Sequence, residues 1–240
     1  MKRLFLTAMA VLLLGAAIAR ADTMKDGDAA YQRGDYATAL KIYGSLSAQG
    51  NARAQNNLGM ISLKGQGGVA HNDADAVKWF RLAAAQGLAE AQLNLGAMYA
   101  EGLGLAQDYA EAGKWFRLAA EQGSAKAQFN LGLLYMSANG VAHDDAEAVK
   151  WYRRSAAQGL AQAQYTLGSM YEQGQGVKQD YVRAYMWFAL GAMSGNTDSA
   201  KSRDRAATHM TPKQIAQARR MVHDCRRRVP KCNGRSTSDD

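Results

Sequence analysis

Two cysteines, four histidines and the adjacent acids Asp144-Asp145 are the side chains of this chain best suited to chemistry. Cys225 and Cys232 stand seven positions apart, a spacing that matches neither a Cys-x-x-Cys redox motif nor a zinc knuckle. In an exported chain an even pair reads first as a disulfide, here closing a short loop worth about 2.5 kcal/mol. Free thiols, or a redox or metal role, are the alternatives. His71 and His143 occupy matching places in Val-Ala-His-Asn-Asp and Val-Ala-His-Asp-Asp, where Gln107 and Gln179 stand elsewhere. A position that alternates between histidine and glutamine reads as a surface turn and not as a metal ligand. Asp144-Asp145 precedes a periodic run, so it reads as a helix N-cap pair and not as an acid/base dyad. Ser-x-x-Lys, His-Glu-x-x-His and Gly-x-Ser-x-Gly are all missing. Each Gly-x-Gly falls between two helical runs, which excludes the strand-preceded dinucleotide loop. The expectation is no catalytic residue, no metal and no cofactor.

The elements that would carry these side chains repeat. Trp79, Trp115, Trp151 and Trp187 are 36 residues apart, each followed eight positions later by a glycine. Leu58-Gly59, Leu95-Gly96, Leu131-Gly132 and Leu167-Gly168 keep the same beat, with one extra residue at Gly67-Gly68 in the first turn. A period of this length means one supersecondary unit copied and stacked. In the unit from Ala91 to Lys126, Ala91, Leu95, Met98 and Tyr99 share one helical face. Gly96 lies inside that helix at a cost of about 1 kcal/mol, which predicts close approach of a neighbouring helix. A Gly-x-Gly turn follows, then Asp108 as N-cap of a second helix whose buried stripe is Ala112, Trp115-Phe116 and Ala119-Ala120. Such a helix hairpin cannot bury its apolar face alone. The four tryptophans are therefore expected in the core, with Trp115→Ala costing about 3–5 kcal/mol.

The pattern Ala…Leu-Gly…Tyr…Gly-x-Gly-Val…Asp…Ala…Trp-(Phe/Tyr)…Ala-Ala…Gln-Gly resembles the Sel-one-like repeat, a relative of the tetratricopeptide repeat. The resemblance implies an all-α, right-handed α-solenoid of stacked antiparallel hairpins and a role in assembling protein complexes. Several bacterial members are exported, and some cysteine-rich exported relatives have been linked to β-lactam binding, which makes a β-lactam-type hydrolase the enzyme alternative. This chain departs from the pattern at three places: Ser62 stands where Tyr99, Tyr135 and Tyr171 recur, Ser137-Ala138-Asn139-Gly140 replaces Gly-x-Gly, and no cysteine lies inside the repeats.

By analogy with tetratricopeptide geometry, the residues two before and one after Leu-Gly face a concave groove. Here these are Asn56, Leu93, Phe129 and Tyr165, with Met60, Ala97, Leu133 and Ser169. They would contact a protein or peptide partner, with packing between successive units as the other reading. The chain is divided as a signal peptide over 1–21, a partial repeat over 22–50 and repeats over 51–87, 88–123, 124–159 and 160–195. Capping helices follow over 196–229, then a basic, polar tail over 230–240. In the partial repeat, Asp28 to Arg33 and Asp35 to Ser47 are the two helices. Thr211 and Pro212 read as N-cap and first residue of the last helix.

Lys2-Arg3, the apolar run to Ile18 and Ala19-Arg20-Ala21 form the pattern of a secretory leader cleaved after Ala21. An uncleaved anchor is the alternative. Export to the periplasm is the expectation. The formal net charge of +8 is concentrated late: residues 201–240 carry +7, whereas 22–200 carry −2. Arg219, Arg220, Arg226, Arg227, Arg228 and Lys231 form a basic patch suited to an anionic glycan or lipid surface. Nucleic acid is not expected, because no aromatics interleave with that patch.

Overall fold

The computed structural model describes residues 23–227, and every regular element among them is an α-helix. The predicted leader over 1–21 lies outside these residues. The twelve helices run α1 Met24–Gln32, α2 Tyr36–Ala48, α3 Ala52–Lys64, α4 Asp73–Ala85, α5 Ala89–Glu101 and α6 Tyr109–Glu121. They continue as α7 Ala125–Ser137, α8 Asp145–Ala157, α9 Ala161–Gln173, α10 Tyr181–Met193, α11 Thr197–Ala207 and α12 Pro212–Arg227. Each helix packs on the one before and the one after it, apart from α12, which rests on α10. The result is an α-solenoid of hairpins, odd helix then even helix. Among the described residues no helix is long and apolar enough to cross a membrane.

Local chemistry sets the helix ends. Asp35, Asn72, Asp108, Asp144 and Asp180 each accept a backbone N–H in the first turn of an even helix. Thr211 and Gln214 form a reciprocal capping box that starts α12 at Pro212. The first helix begins at Met24, four residues before the expected Asp28, because Thr23 and Asp26 make a capping box there. In the four repeats the odd helices α3, α5, α7 and α9 end on a residue in the left-handed region: Gly65, Gly102 and Gly174, but Ala138 in the third unit, at φ 57°. That is the only non-glycine among the described residues with positive φ.

The recurring Leu-Gly has a specific partner. A methyl group on Gly59, Gly96, Gly132 or Gly168 would lie 2.7 Å from the ring of Phe80, Phe116, Tyr152 or Phe188 respectively. Each ring belongs to the even helix of the same hairpin and is essentially inaccessible. The helix-propensity loss at glycine, about 1 kcal/mol, is thus offset by seating an aromatic ring against bare backbone.

This corrects the place of the tryptophans. Trp151 and Trp187 are buried, but Trp79 and Trp115 are only half-buried. The deep aromatic of each hairpin is the next residue along. Trp79, Trp115 and Trp151 instead join the apolar clusters that tie the preceding unit to the odd helix of their own unit. Helical geometry explains the split: adjacent residues point about 100° apart, so one faces the hairpin interior and the other the stacking interface.

Polar side chains repeat this two-way bracing. The buried Gln92, Gln128 and Gln164 donate to the carbonyls of Ala84, Ala120 and Ala156 in the preceding unit, at 3.4, 3.0 and 3.1 Å. Gln86, Gln122 and Gln158, at the ends of even helices, donate to the Oε1 atoms of Gln55, Gln92 and Gln128 at 2.7, 2.7 and 2.9 Å. In the fourth unit Ser194 takes the place of that second glutamine and is too short, so the buried Gln164 Oε1 has no partner. Between units, Arg81, Arg117 and Arg153 donate to the hydroxyls of Tyr99, Tyr135 and Tyr171. Ser62 removes this tie from the first junction. At the far end α11 is fastened to α9 by a two-pronged pair, Arg205 Nε to Glu172 Oε1 at 3.0 Å and Nη2 to Oε2 at 2.6 Å.

Candidate interaction face

Once the packing residues are assigned, the odd helices retain an open stripe. On α3 it is Arg53, Asn57, Met60 and Lys64, at intervals of four, three and four, which is one helical face. The matching positions are Glu90, Asn94, Ala97 and Glu101 on α5, Lys126, Asn130, Leu133 and Ser137 on α7, and Gln162, Thr166, Ser169 and Gln173 on α9. The outermost members of the stripe are exposed and its middle members are mostly half-buried. Packing positions repeat from unit to unit, whereas this stripe changes residue type at nearly every step.

The eight residues expected to face a groove divide on this surface. Leu133 is the most open, 43% exposed. Met60, Ala97 and Ser169 are half-buried on the same stripe, with Ser169 Oγ donating to the Tyr165 carbonyl. Leu93 and Ala97 pack against the core formed by α6 and α7. Phe129 lies against Tyr152, ring centres 5.4 Å apart, and Tyr165 against Phe188 at 5.8 Å. These aromatics therefore serve packing and keep only part of their surface free. Asn56 is 1% exposed and accepts from Asn94 Nδ2 at 2.9 Å, so the closed fold withdraws it from any partner.

The stripe deepens into a cavity of about 310 Å³ between α1, α3 and α5. Its walls include Asp28, Tyr31, Arg53, Met60, Lys64 and Glu90. Sequence reasoning found Met60 but missed the others, because their convergence depends on how α1 seats on its neighbours. Asp28 accepts from Tyr43 Oη at 2.8 Å, Arg53 Nη2 at 2.9 Å and Asn57 Nδ2 at 3.2 Å. Burial first, and then the bond to Asp28, pushes the Tyr43 phenol well above its usual range, so it remains a donor. Lys64 Nζ donates only to the neutral hydroxyl of Tyr31, at 3.3 Å.

The side chains with chemical potential serve structure. His71 Nδ1 lies 2.6 Å from the Leu63 carbonyl and His143 Nδ1 3.0 Å from that of Met136. Gln107 and Gln179 donate to the equivalent carbonyls of Ala100 and Glu172, both at 2.8 Å. The histidine–glutamine alternation is thus two ways of closing the end of an odd helix. Among the described residues no group of three His, Cys, Asp or Glu side chains is placed to hold a metal. Cys225 is half-buried on α12 against the last core cluster. Its expected disulfide partner Cys232 lies outside the described residues, as do Arg228 and Lys231. Arg219, Arg220, Arg226 and Arg227 are exposed on α12, with no salt bridge among the described residues.

A profile of the Sel1 repeat matches residues 52–88, 89–124, 125–160 and 161–196. Among solved structures, the chain is similar to a protective antigen of uropathogenic Escherichia coli strains that displays an SLR fold. The two are 37% identical with a TM-score of 0.72, over 78% of this chain and 40% of the antigen. It is also similar to a Sel1 repeat protein from Oxalobacter formigenes, at 36% identity and TM-score 0.72, over 77% of this chain and 75% of that one. A sel1 repeat protein from Klebsiella pneumoniae shares the fold at 23% identity and TM-score 0.51, over 76% and 90% of the two chains. The chain thus spans well under half of the E. coli antigen. No curated protein matches it.

Proposed function

The chain belongs to the Sel1 repeat family, and from that premise we propose that it is an exported, non-catalytic scaffold that binds a protein or peptide partner in the cell envelope. The observation that carries this reading is the contrast on the odd helices: recurring packing positions beside a stripe in which three of the four positions change residue in every unit. The same face carries the exposed Leu133 and a shaped cavity. The leader pattern at 1–21 supports export.

A second reading has one favouring observation, the exposed arginines of α12. In it the repeats act as a spacer and α12 docks on anionic glycan or lipid headgroups. Turnover of a β-lactam by the purified protein would instead favour the hydrolase alternative.

The two binding readings separate with immobilised full-length protein and an envelope extract. Leu133→Arg alters an exposed position and leaves the core clusters intact; the quadruple change of Arg219, Arg220, Arg226 and Arg227 to Gln leaves α12 able to pack through Ala218. The scaffold reading expects Leu133→Arg to remove the captured partner and the quadruple variant to retain it. The reverse result, with capture abolished by moderate salt, would transfer the function to α12.

A further inference from the structure

Two opposite charges enter the cavity at α1, α3 and α5 without an ionic partner. Asp28 and Arg53 neutralise each other, and the remaining Asp28 lone pairs are taken by Tyr43 and Asn57. Lys64 and Glu90 line the same space and form no salt bridge with each other or with any other described residue. Lys64 is held over the face and edge of Tyr31, its Nζ 5.9 Å from the ring centre, which fixes the ammonium at the cavity wall. Glu90 sits in the first turn of α5, on the opposite side.

The space of about 310 Å³ is lined along α3 from Arg53 to Lys64, about 16 Å of helix, which is the reach of about five residues of extended chain. It lies at the small end of the range for ligand pockets, about 300–1,000 Å³, so it suits a few side chains better than a large cofactor. Beyond it the stripe offers the side-chain oxygen of Asn94, whose amide nitrogen already donates to Asn56 Oδ1 and Met60 Sδ, then the whole amide of Asn130 and the exposed Leu133.

Resting on the scaffold reading above, we propose that this cavity anchors an extended peptide segment of mixed charge. An acidic side chain meets Lys64, a basic side chain about four positions away meets Glu90, and the adjoining backbone crosses the asparagines. An all-basic or all-acidic segment places one of its charges against a like charge, which the cavity rejects.

The test uses the full chain and four fluorescein-labelled peptides of one Gly/Ser/Ala background, read by fluorescence anisotropy at low salt. One carries Asp and Lys four positions apart, one carries Asp alone, one Lys alone, and one neither. The Asp/Lys peptide is expected to bind at least about tenfold more tightly than the neutral one. Lys64→Gln removes the advantage of Asp and leaves that of Lys, and Glu90→Gln does the opposite. Both positions are on the surface, and unchanged melting of each variant verifies the fold. Equal binding of all four peptides, no binding up to about 1 mM, or a uniform loss in both variants would overturn the proposal. The scaffold reading fails separately. If the Lys64→Gln, Glu90→Gln double variant still captures the envelope partner that Leu133→Arg loses, the face stands and the mixed-charge anchor falls.

Discussion

The second unit, α5 with α6, and the fourth, α9 with α10, follow one backbone plan but end in different surroundings. Trp115 and Leu118 on α6 correspond to Trp187 and Leu190 on α10, two periods later. Leu118 is 44% exposed, whereas Leu190 is 7% exposed and Trp187 2%. The cause is α11 and α12: Ala206, Met221, Val222 and Cys225 complete the cluster around Trp187 and Leu190, and Ala218 covers Tyr185 and Ala189. The interior unit in turn keeps its Gln122–Gln92 bridge, which Ser194 denies to the fourth. A repeat therefore closes its own hairpin, and its neighbour decides how much of each outer side chain water can reach.

The largest expected effect tests that division directly. Trp187→Ala should cost about 3–5 kcal/mol in a urea melt, as for any fully enclosed indole, and Trp115→Ala about 2 kcal/mol, since part of its ring is already hydrated. Equal losses would mean that position within the repeat, not the neighbour, sets the energy. A smaller pair probes the glutamine bridge. Gln122→Ala leaves the buried Gln92 Oε1 unpaired and should cost about 1–3 kcal/mol. Ser194→Gln supplies the missing donor to Gln164 and should raise the midpoint by an amount equivalent to about 1 kcal/mol. If Ser194→Gln destabilises instead, α11 occupies the space that the longer side chain needs. The smallest effect lies in the third unit, between the two. Ala138 holds a left-handed backbone that glycine adopts without a Cβ penalty, so Ala138→Gly should stabilise by about 0.5–1 kcal/mol, measurable by calorimetry.

Much of this architecture was legible because the repeat prints each requirement four times. The Leu-Gly beat announced a close approach before its ring was known, and Asp108, Thr211 and Pro212 marked helix starts where the chain places them. The glutamine bridges were not legible: Ala-Gln and Gln-Gly recur on the same period, but one residue type at two phases gives no hint that the two phases touch. Trp151 and Trp187 are core residues as expected, whereas Trp79 and Trp115 were misjudged for a related reason. Periodicity says that Trp115 and Phe116 both matter, while the 100° between them decides which ring enters the hairpin and which the stacking interface. The candidate face was the least legible part, because Phe129 and Tyr165 look alike as contact residues and as packing residues until Tyr152 and Phe188 are seen against them.

By itself the sequence determined the hairpin, its length, its caps and the number of stacked copies, because these depend on interactions within a few turns of chain and on a period that copies them. Tertiary structure alone decided that Asn56 is closed off, that Trp187 is enclosed while Trp115 is not, and that Asp28, Lys64 and Glu90 converge on one cavity. Those outcomes depend on the angle and depth at which one hairpin seats on the next. That seating is fixed by many small apolar contacts acting together, and no single residue type announces it.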